Sequence, residues 1–351
     1  MKDFLIIGNG LAGIFCSHFL LSQNKNIDVI ANQSQNSTTV AAGLYNPVVL
    51  KRFTMAWNAH EQSHNLFEYY KNLENLLHQK IIYPLELLRL LTSVEEQNNW
   101  TIASDKLILK DYINPIVYTN TFKTINASFG FGAVKHTGFV DTKLLQVCFT
   151  KFLTELNYFK NETFIYENLI INDNTFIYNN IEYKNVIFCE GFGLKNNSYF
   201  NYLPLDGTKG ELLTIRSKDL KLNKIINSSV FILPLGNDLY RVGATYNWND
   251  KDTIATNEGK NEILTQLNNI INCEFEVVTH LAGVRPTVND RKPLIGVHPT
   301  IKNMYVLNGL GTRGVMLAPY LSKILLNFIE KDIPIAPEID IKRYQRLMKN
   351  V

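Results

Sequence analysis

Cysteine is scarce. The chain of 351 residues holds four, Cys16, Cys148, Cys189 and Cys273, far apart, in no CxxC pair and each inside an apolar run. Such spacing argues against a disulfide framework and a zinc site, and it suits buried thiols in a reducing compartment. Charge of one sign is also lacking: 35 Lys and Arg stand against 32 Asp and Glu, and the formal net charge is +3. The cations are scattered rather than blocked, so nucleic-acid binding is not expected. No segment is polar enough to read as disordered, and no repeat at solenoid spacing is apparent. The apolar start FLIIGNGLAGIFCSHFLL is interrupted by Gly8, Asn9, Gly10, Gly13, Ser17 and His18 and has no basic flank. It therefore reads as neither a signal peptide nor a membrane span, and a cytoplasmic location with no membrane partner is expected.

What is present is an ordinary globular composition, 46% hydrophobic, in a chain longer than the ~250–300 residues at which one core usually stops growing. Two lobes are expected. Phe4-Leu5-Ile6-Ile7 reads as a short apolar strand that runs into Gly8-Asn9-Gly10-Leu11-Ala12-Gly13, after which Ile14, Phe15, Phe19 and Leu20 recur at helical spacing. A GxGxxG between strand and helix has a mechanical reason for each glycine: a tight turn, close approach of backbone to a pyrophosphate, and packing of helix on strand. The unpaired N–H groups of the helix N-terminus then face the anion. A second strand, Ile27-Asp28-Val29-Ile30-Ala31, ends at Asn32, where an acid normally meets the ribose hydroxyls. Asparagine can still hydrogen-bond there, and no Arg or Lys among Gln33, Ser34, Gln35 and Asn36 would select a 2′-phosphate. FAD is thus favoured over NADP.

The segment Ser37–Pro47 is rich in small and hydroxylated residues that let backbone lie flat on a cofactor, although alone it reads equally as a loop. Helical spacing follows from about Trp57 to Leu77, Thr121–Ala133 is turn-rich, and a helix is expected from about Lys143 to Leu156. Then NVIFCEGFG, residues 185–193, reads as a parallel strand finishing at a ligand crevice, with Gly191 at its end. Glu211–Arg216, Val230–Leu233 and Leu239–Ala244 read as antiparallel strands, the last two joined by a Leu235-Gly236-Asn237-Asp238 turn, and a helix covers about Glu258–Ile271. A second literal GxGxxG, Gly309-Leu310-Gly311-Thr312-Arg313-Gly314, follows the strand Met304–Leu307 and opens an apolar helix to about Ile329. No second βαβ half is expected after it. Its glycines either admit a flat ligand under a helix dipole or simply pack a helix start. Arg285, between Val284 and Pro286, is either an anion clamp or the partner of an acid such as Asp290.

Together these segments resemble the D-amino-acid oxidase family of flavoproteins, which includes glycine oxidase and sarcosine oxidase. The likeness runs in order through IIGNGLAG, NIDVIAN with STTVAAGLYNP, VIFCEGFG, AGVRPTVNDRKPLIG and MYVLNGLGTRGVMLAP. It implies an α/β fold, α+β overall, in which a Rossmann-like FAD-binding domain carries an antiparallel-sheet substrate domain, as in glycine oxidase. The implied division is 1–50, 133–205 and 281–351 for the discontinuous FAD domain, with 51–132 and 206–280 for the substrate domain. The implied cofactor contacts are Gly8, Gly10, Leu11, Ala12, Gly13, Asn32, Thr38, Thr39, Ala42, Gly43, Leu44 and Gly191. The loop Gly311, Thr312, Gly314, Val315 and Met316 is expected at the isoalloxazine edge. Arg285 stands at the family's substrate-carboxylate position and Arg313 at a second polar contact. Where glycine oxidase-like proteins place a tyrosine hydroxyl this chain has Phe231; Tyr240 and Tyr246 are either ordinary strand residues or substitutes for it, and Tyr246 is the one assigned to substrate. Gly283 stands where sarcosine oxidases attach flavin, so FAD is expected to be non-covalent.

The expected reaction is oxidation of the C–N bond of a small amino acid or of a secondary amine carrying a carboxylate, by hydride transfer to flavin N5. Oxygen or an unknown acceptor would reoxidise the flavin. No residue is assigned as general acid or base, no metal is expected, and His60, His136, His280 and His298 are read as structural or exposed. Lys51 and Arg52 are either a solvated turn or a clamp for a larger anion. Two other functions remain open at this stage: oxidation of a carboxymethylamino group on a tRNA wobble uridine, and flavin binding without turnover.

Overall fold

Alternate side chains of the strand Lys2–Ile7 enter two different cores, Phe4 and Ile6 on one face and Leu5 and Ile7 on the other. That is the requirement on a strand at the centre of a covered parallel sheet. In the computed structural model, which describes residues 1–32 and 34–348, this strand pairs in parallel with Ile27–Ile30 on one side and Ile181–Phe188 on the other. Ile181–Phe188 pairs in parallel with Met304–Asn308, whose far edge takes Leu294–Val297 antiparallel. The helix Leu11–Ser22 is buried almost all round because it lies on this sheet and beneath the helix Gly314–Lys331. A fully buried carboxylate, that of Asp28, sits in the sheet itself. Its carboxylate accepts from Lys2 Nζ at 2.7 Å and from the Tyr183 hydroxyl at 2.6 Å, which offsets the cost of burying the charge.

Pro319 lies inside the helix Gly314–Lys331 and has no N–H to give the carbonyl of Val315, four residues back. The buried Tyr70 hydroxyl donates to that carbonyl at 2.9 Å instead, so the vacancy in the helix ladder is filled by another element. Tyr70 belongs to the helix Leu66–Leu77. The helical run expected from Trp57 to Leu77 is in fact two helices, Ala59–His64 and Leu66–Leu77, broken at Asn65.

The second sheet has eight strands in the order Glu276–Arg285, Thr208–Arg216, Leu239–Gly243, Phe231–Gly236, Ile225–Asn227, Leu87–Leu90, Phe131–Val134 and Ile113–Tyr118. It is antiparallel except where Ile225–Asn227 meets Leu87–Leu90. The turn at 235–238 has φ of +87° at Gly236, +51° at Asn237 and +58° at Asp238, the left-handed pair that hairpin twist favours. Sheet membership departs from the segment boundaries implied by resemblance. Residues 133–134 and 281–285 continue strands of this sheet, paired with Leu87–Leu88 and with Thr208–Leu212. The helices Ala59–His64 and Leu66–Leu77 pack into the core beside the parallel sheet. Of the cysteines, Cys16 and Cys189 are buried and Cys148 and Cys273 only partly so. Among the described residues no helix is long and apolar enough to cross a membrane.

Candidate active site

The carboxyl ends of the parallel strands open into one cleft of about 2360 Å³, roofed by the second sheet. Every residue expected at cofactor or substrate lines it except Gly13. Gly8 has φ +105°, and a Cβ there would overlap the Cys189 carbonyl oxygen. Gly10 leaves 3.1 Å between its would-be Cβ and Thr38 Oγ1, and Gly13 faces the Gly8 carbonyl, where any side chain would overlap. Gly13 is therefore the packing glycine, and its place outside the cleft follows from that task. Gly10 at the N-cap has no side chain to cap the helix Leu11–Ser22; the Leu11 N–H donates to Thr38 Oγ1 at 3.4 Å, and the N–H groups that follow it in the first turn face the cleft.

The cleft also carries acceptors that no donor satisfies among the described residues. Asn9 Oδ1, Asn36 Oδ1 and Gln146 Oε1 are buried without a donor, while the amide nitrogens of the same side chains bond Thr150 Oγ1, the Ala282 carbonyl and the Asn9 carbonyl. Buried polar atoms are rarely left so, and donors on a bound ligand would meet them. A dinucleotide's hydroxyls and ring N–H groups have that chemistry, so the residues present fit FAD. Asn36 and Gln146 were not anticipated from sequence. Gln146 in particular carries no signal, being one polar position on an amphipathic helix, Thr142–Glu155.

Asn32 stands at the cleft wall, but its amide donates to Thr163 Oγ1 at 2.9 Å and its carbonyl accepts from the Ser34 backbone N–H and hydroxyl. The side chain shapes the loop after its strand. Along the small-residue segment, Thr39 Oγ1 donates to the Asn36 carbonyl, and Gly43, φ +73°, lies where a Cβ would overlap the Val140 carbonyl. Arg241, also not anticipated, donates to the Ala41 carbonyl at 3.2 Å and holds this segment from the roof. At the far end, Gly311 has φ +52° and nothing within 4 Å of its would-be Cβ; its N–H donates to the Pro286 carbonyl. Asn308 Nδ2 donates to the Gly191 carbonyl at 2.9 Å, joining both strand ends. Glu190, beside them, is buried, which raises its pKa, and it accepts from Tyr166 and Asn197.

Arg285 ends the roof strand Glu276–Arg285 and lies across Gly210, where any side chain would overlap the guanidinium. Its Nη1 donates to the carbonyls of Thr245 at 3.2 Å and Lys209 at 3.5 Å, and its Cζ sits 4.5 Å from the ring centroid of Tyr246. Burial pulls its pKa down. The ion pair with Asp290 is not formed: that carboxylate accepts from Arg343 Nε at 3.2 Å and from the Tyr344 hydroxyl at 2.7 Å. Arg313, at the start of the helix Gly314–Lys331, donates to the Asn46 carbonyl at 2.8 Å, and burial lowers its pKa as well. Phe231 lines the cleft and offers no hydroxyl there. Tyr240 is buried in the roof core, whereas Tyr246 is 60% exposed and lies over Arg285. Exposed Lys51 and Arg52 line the mouth. His60 bonds the Tyr112 hydroxyl, His280 pairs with Glu211, and His298 accepts from backbone N–H groups, all outside the cleft.

The model of the family DAO, FAD dependent oxidoreductase, matches residues 3–327. The chain belongs to this family. It is an FAD-dependent oxidoreductase with the glycine oxidase-like fold. Glycine oxidase from Bacillus cereus ATCC 14579 superposes with a TM-score of 0.76 over 95% of this chain and 96% of its own, at 21% identity. Iminodiacetate oxidase from Chelativorans sp. BNC1 gives 0.79 over 97% and 98%, at 16% identity. At the level of sequence, the tRNA 5-methylaminomethyl-2-thiouridine biosynthesis bifunctional protein MnmC of Legionella pneumophila (strain Corby) is 25% identical over 202 residues. That match covers 47% of this chain and 29% of the relative.

Proposed function

We propose that this chain oxidises the C–N bond of a small amino acid, or of a secondary amine, that carries a carboxylate. The observation behind this reading is Arg285: a half-buried guanidinium in the cleft, with no acid paired to it among the described residues and its remaining donors free for a planar anion. A bidentate guanidinium–carboxylate pair fixes orientation as well as charge, and orientation is what a hydride donor needs. Bound FAD supplies a hydride acceptor at N5. Tyr246 covers the outer face of Arg285 and strengthens its hold on an anion by keeping water from it. The small-residue segment from Thr38 to Leu44 and the loop from Gly311 to Met316 give the flavin a floor, and the helix start at Gly314 favours negative charge at its edge. Pyrophosphate at Gly8–Gly13, ribose near Asn32 and non-covalent attachment, with Gly283 offering no side chain, belong to the same reading. So does the two-part division of the chain, with its boundaries moved to the ends of Phe131–Val134 and Glu276–Arg285. No acid or base is assigned, and oxygen is one acceptor to test.

The test is anaerobic addition of amino acids and of primary and secondary amines to the FAD-loaded protein, watched as loss of flavin absorbance, then readmission of air to assay peroxide. Bleaching by carboxylate-bearing amines, weakened in Arg285→Lys, is expected. A panel that never bleaches the flavin would return the chain to non-catalytic flavin binding. A second reading, oxidation of a carboxymethylamino group on a tRNA wobble uridine, is favoured by the sequence relative above and by Lys51 and Arg52 at the cleft mouth. Loss of a modified wobble nucleoside on gene deletion, together with no free amino acid oxidised, would select it.

A further inference from the structure

We infer that Asn9 and Gln146 are the acceptors for the hydroxyls of the adenosine ribose of FAD, in place of the acid that normally ends the second strand. The inference rests on the cofactor placement proposed above, with the pyrophosphate at the Gly8–Gly13 turn, and is independent of the substrate. Asn9, Gln146 and Thr150 line the cleft and are tied in a ring. Gln146 Nε2 donates to the Asn9 carbonyl, Asn9 Nδ2 to Thr150 Oγ1, and the Thr150 hydroxyl to the Gln146 carbonyl, each at 2.7 Å. This ring fixes which way both amides point. Gln146 meets a backbone carbonyl, which only accepts, and the Thr150 hydroxyl has already given its proton, so in each case the amide nitrogen must face the partner. Asn9 Oδ1 and Gln146 Oε1 are thereby left buried with no donor among the described residues, and Asn9 as a whole is 5% exposed.

Free carbonyl oxygens repel an ionised pyrophosphate, which offers only acceptors, and call for O–H or N–H groups. Strand order says which end of the cofactor supplies them. Ile27–Ile30 lies on one side of Lys2–Ile7, and Ile181–Phe188 followed by Met304–Asn308 on the other. The loop expected at the isoalloxazine edge follows Met304–Asn308, so the adenosine end lies toward Ile27–Ile30. Asn9 and Gln146 are on that side. The Gly8 N–H donates to the Ile30 carbonyl at 2.8 Å, and the helix Thr142–Glu155 leads into Phe159–Lys160, which pairs in parallel with Val29 and Ile30. The residue that ends that strand region has no acceptor to give: Asn32 Oδ1 already takes the Ser34 backbone N–H at 3.1 Å and the Ser34 hydroxyl at 2.6 Å, which fills both lone pairs of a carbonyl oxygen. Of two acids on the cleft wall, Glu190 has one oxygen on Tyr166 and the other on Asn197, whereas Glu162 has one on Asn179 and one without a donor among the described residues. Glu162 is therefore the rival acceptor.

The test uses the FAD-loaded full chain and reads cofactor retention, which needs no turnover. The chain is equilibrated with equal mixtures of FAD and an analogue lacking the 2′-hydroxyl, the 3′-hydroxyl or the 6-amino group of the adenosine half, and the ratio of the flavins retained after ultrafiltration is measured. A buried acceptor left unmet predicts a preference for FAD over the deoxyribose analogues of about 5- to 100-fold, and Gln146→Met is expected to bring at least one of the two close to parity. Parity in the unaltered chain, or a preference undiminished in Gln146→Met, overturns the inference. A preference lost in Glu162→Gln or Asn32→Ala and kept in Gln146→Met overturns it as well, by returning the hydroxyls to those residues. So does a Gln146→Met chain that loses discrimination only against the 6-amino-lacking analogue, since the amide then faces the adenine. If Gln146→Met does not fold, Gln146→Asn, whose amide is one methylene short, decides: a reduced preference supports the role and an unchanged one removes it. Competition with FMN separates the inference from the placement beneath it. Equal retention of FMN and FAD would sink the placement, whereas FAD retained over FMN with no ribose preference would sink only the role of Asn9 and Gln146.

Discussion

Two turns of this chain have the same pattern, Gly8–Gly13 and Gly309–Gly314, and their glycines answer to different neighbours. In the first, φ of +105° at Gly8 and the carbonyls of Cys189 and Gly8 leave no room for a Cβ at Gly8 or Gly13. The obstacle is backbone, which cannot yield. In the second, Gly309 at φ +73° meets the Val288 side chain first, at 2.8 Å, Gly311 has open cleft beside it, and a Cβ at Gly314 would stand 3.1 Å from the tip of the Leu11 side chain, which can yield. The strands behind them differ as well. Lys2–Ile7 has parallel neighbours on both sides, whereas Met304–Asn308 has a parallel one on one side and the antiparallel Leu294–Val297 on the other. The first turn thus packs a helix tightly against backbone at the end of a central strand, and the second delivers a helix start and Arg313 to the cleft.

The largest expected effect is at the first turn. Gly8→Ala combines a left-handed φ with overlap on backbone, together roughly 3 kcal/mol or more, and the purified protein should lack flavin absorbance and melt earlier. Retention of stoichiometric FAD would remove the distinction between the turns. Next comes Arg285→Lys, which keeps the charge and loses the fork. Half-saturating substrate concentration should rise ~10- to 100-fold in the anaerobic bleaching titration, with flavin content unchanged. Tyr70→Phe leaves the Val315 carbonyl above Pro319 without a donor and should cost ~1–3 kcal/mol in urea unfolding. It probes how far the helix of the second turn depends on another element. The smallest effect belongs to Gly314→Ala, expected within ~1 kcal/mol because a better helix residue offsets a flexible contact. A loss of flavin as complete as that of Gly8→Ala would show that both turns are built alike.

The nucleotide turn, the apolar strands and the hairpin at 235–238 were readable because their demands are local: φ sign, alternation and helical spacing are properties of a few consecutive residues. The break at Asn65 was not, since the helical pattern runs on across it and only packing beside the helix Gly314–Lys331 decides where it turns. Asn36, Gln146 and Arg241 escaped for a similar reason. An amide on a helix face or an arginine in a strand gains a role only from what another segment places against it.

The sequence by itself determined that a dinucleotide turn, a small-residue segment and a glycine-rich loop occur in this order, because each is a local steric requirement written in glycine, hydroxyl and apolar spacing. Only the tertiary structure decided that Asp290 goes to Arg343 and Tyr344, and that Arg285 and Arg313 line one cleft, half-buried and, among the described residues, without an acid. Charge pairing across hundreds of residues depends on distance in space, and no spacing along the chain encodes it.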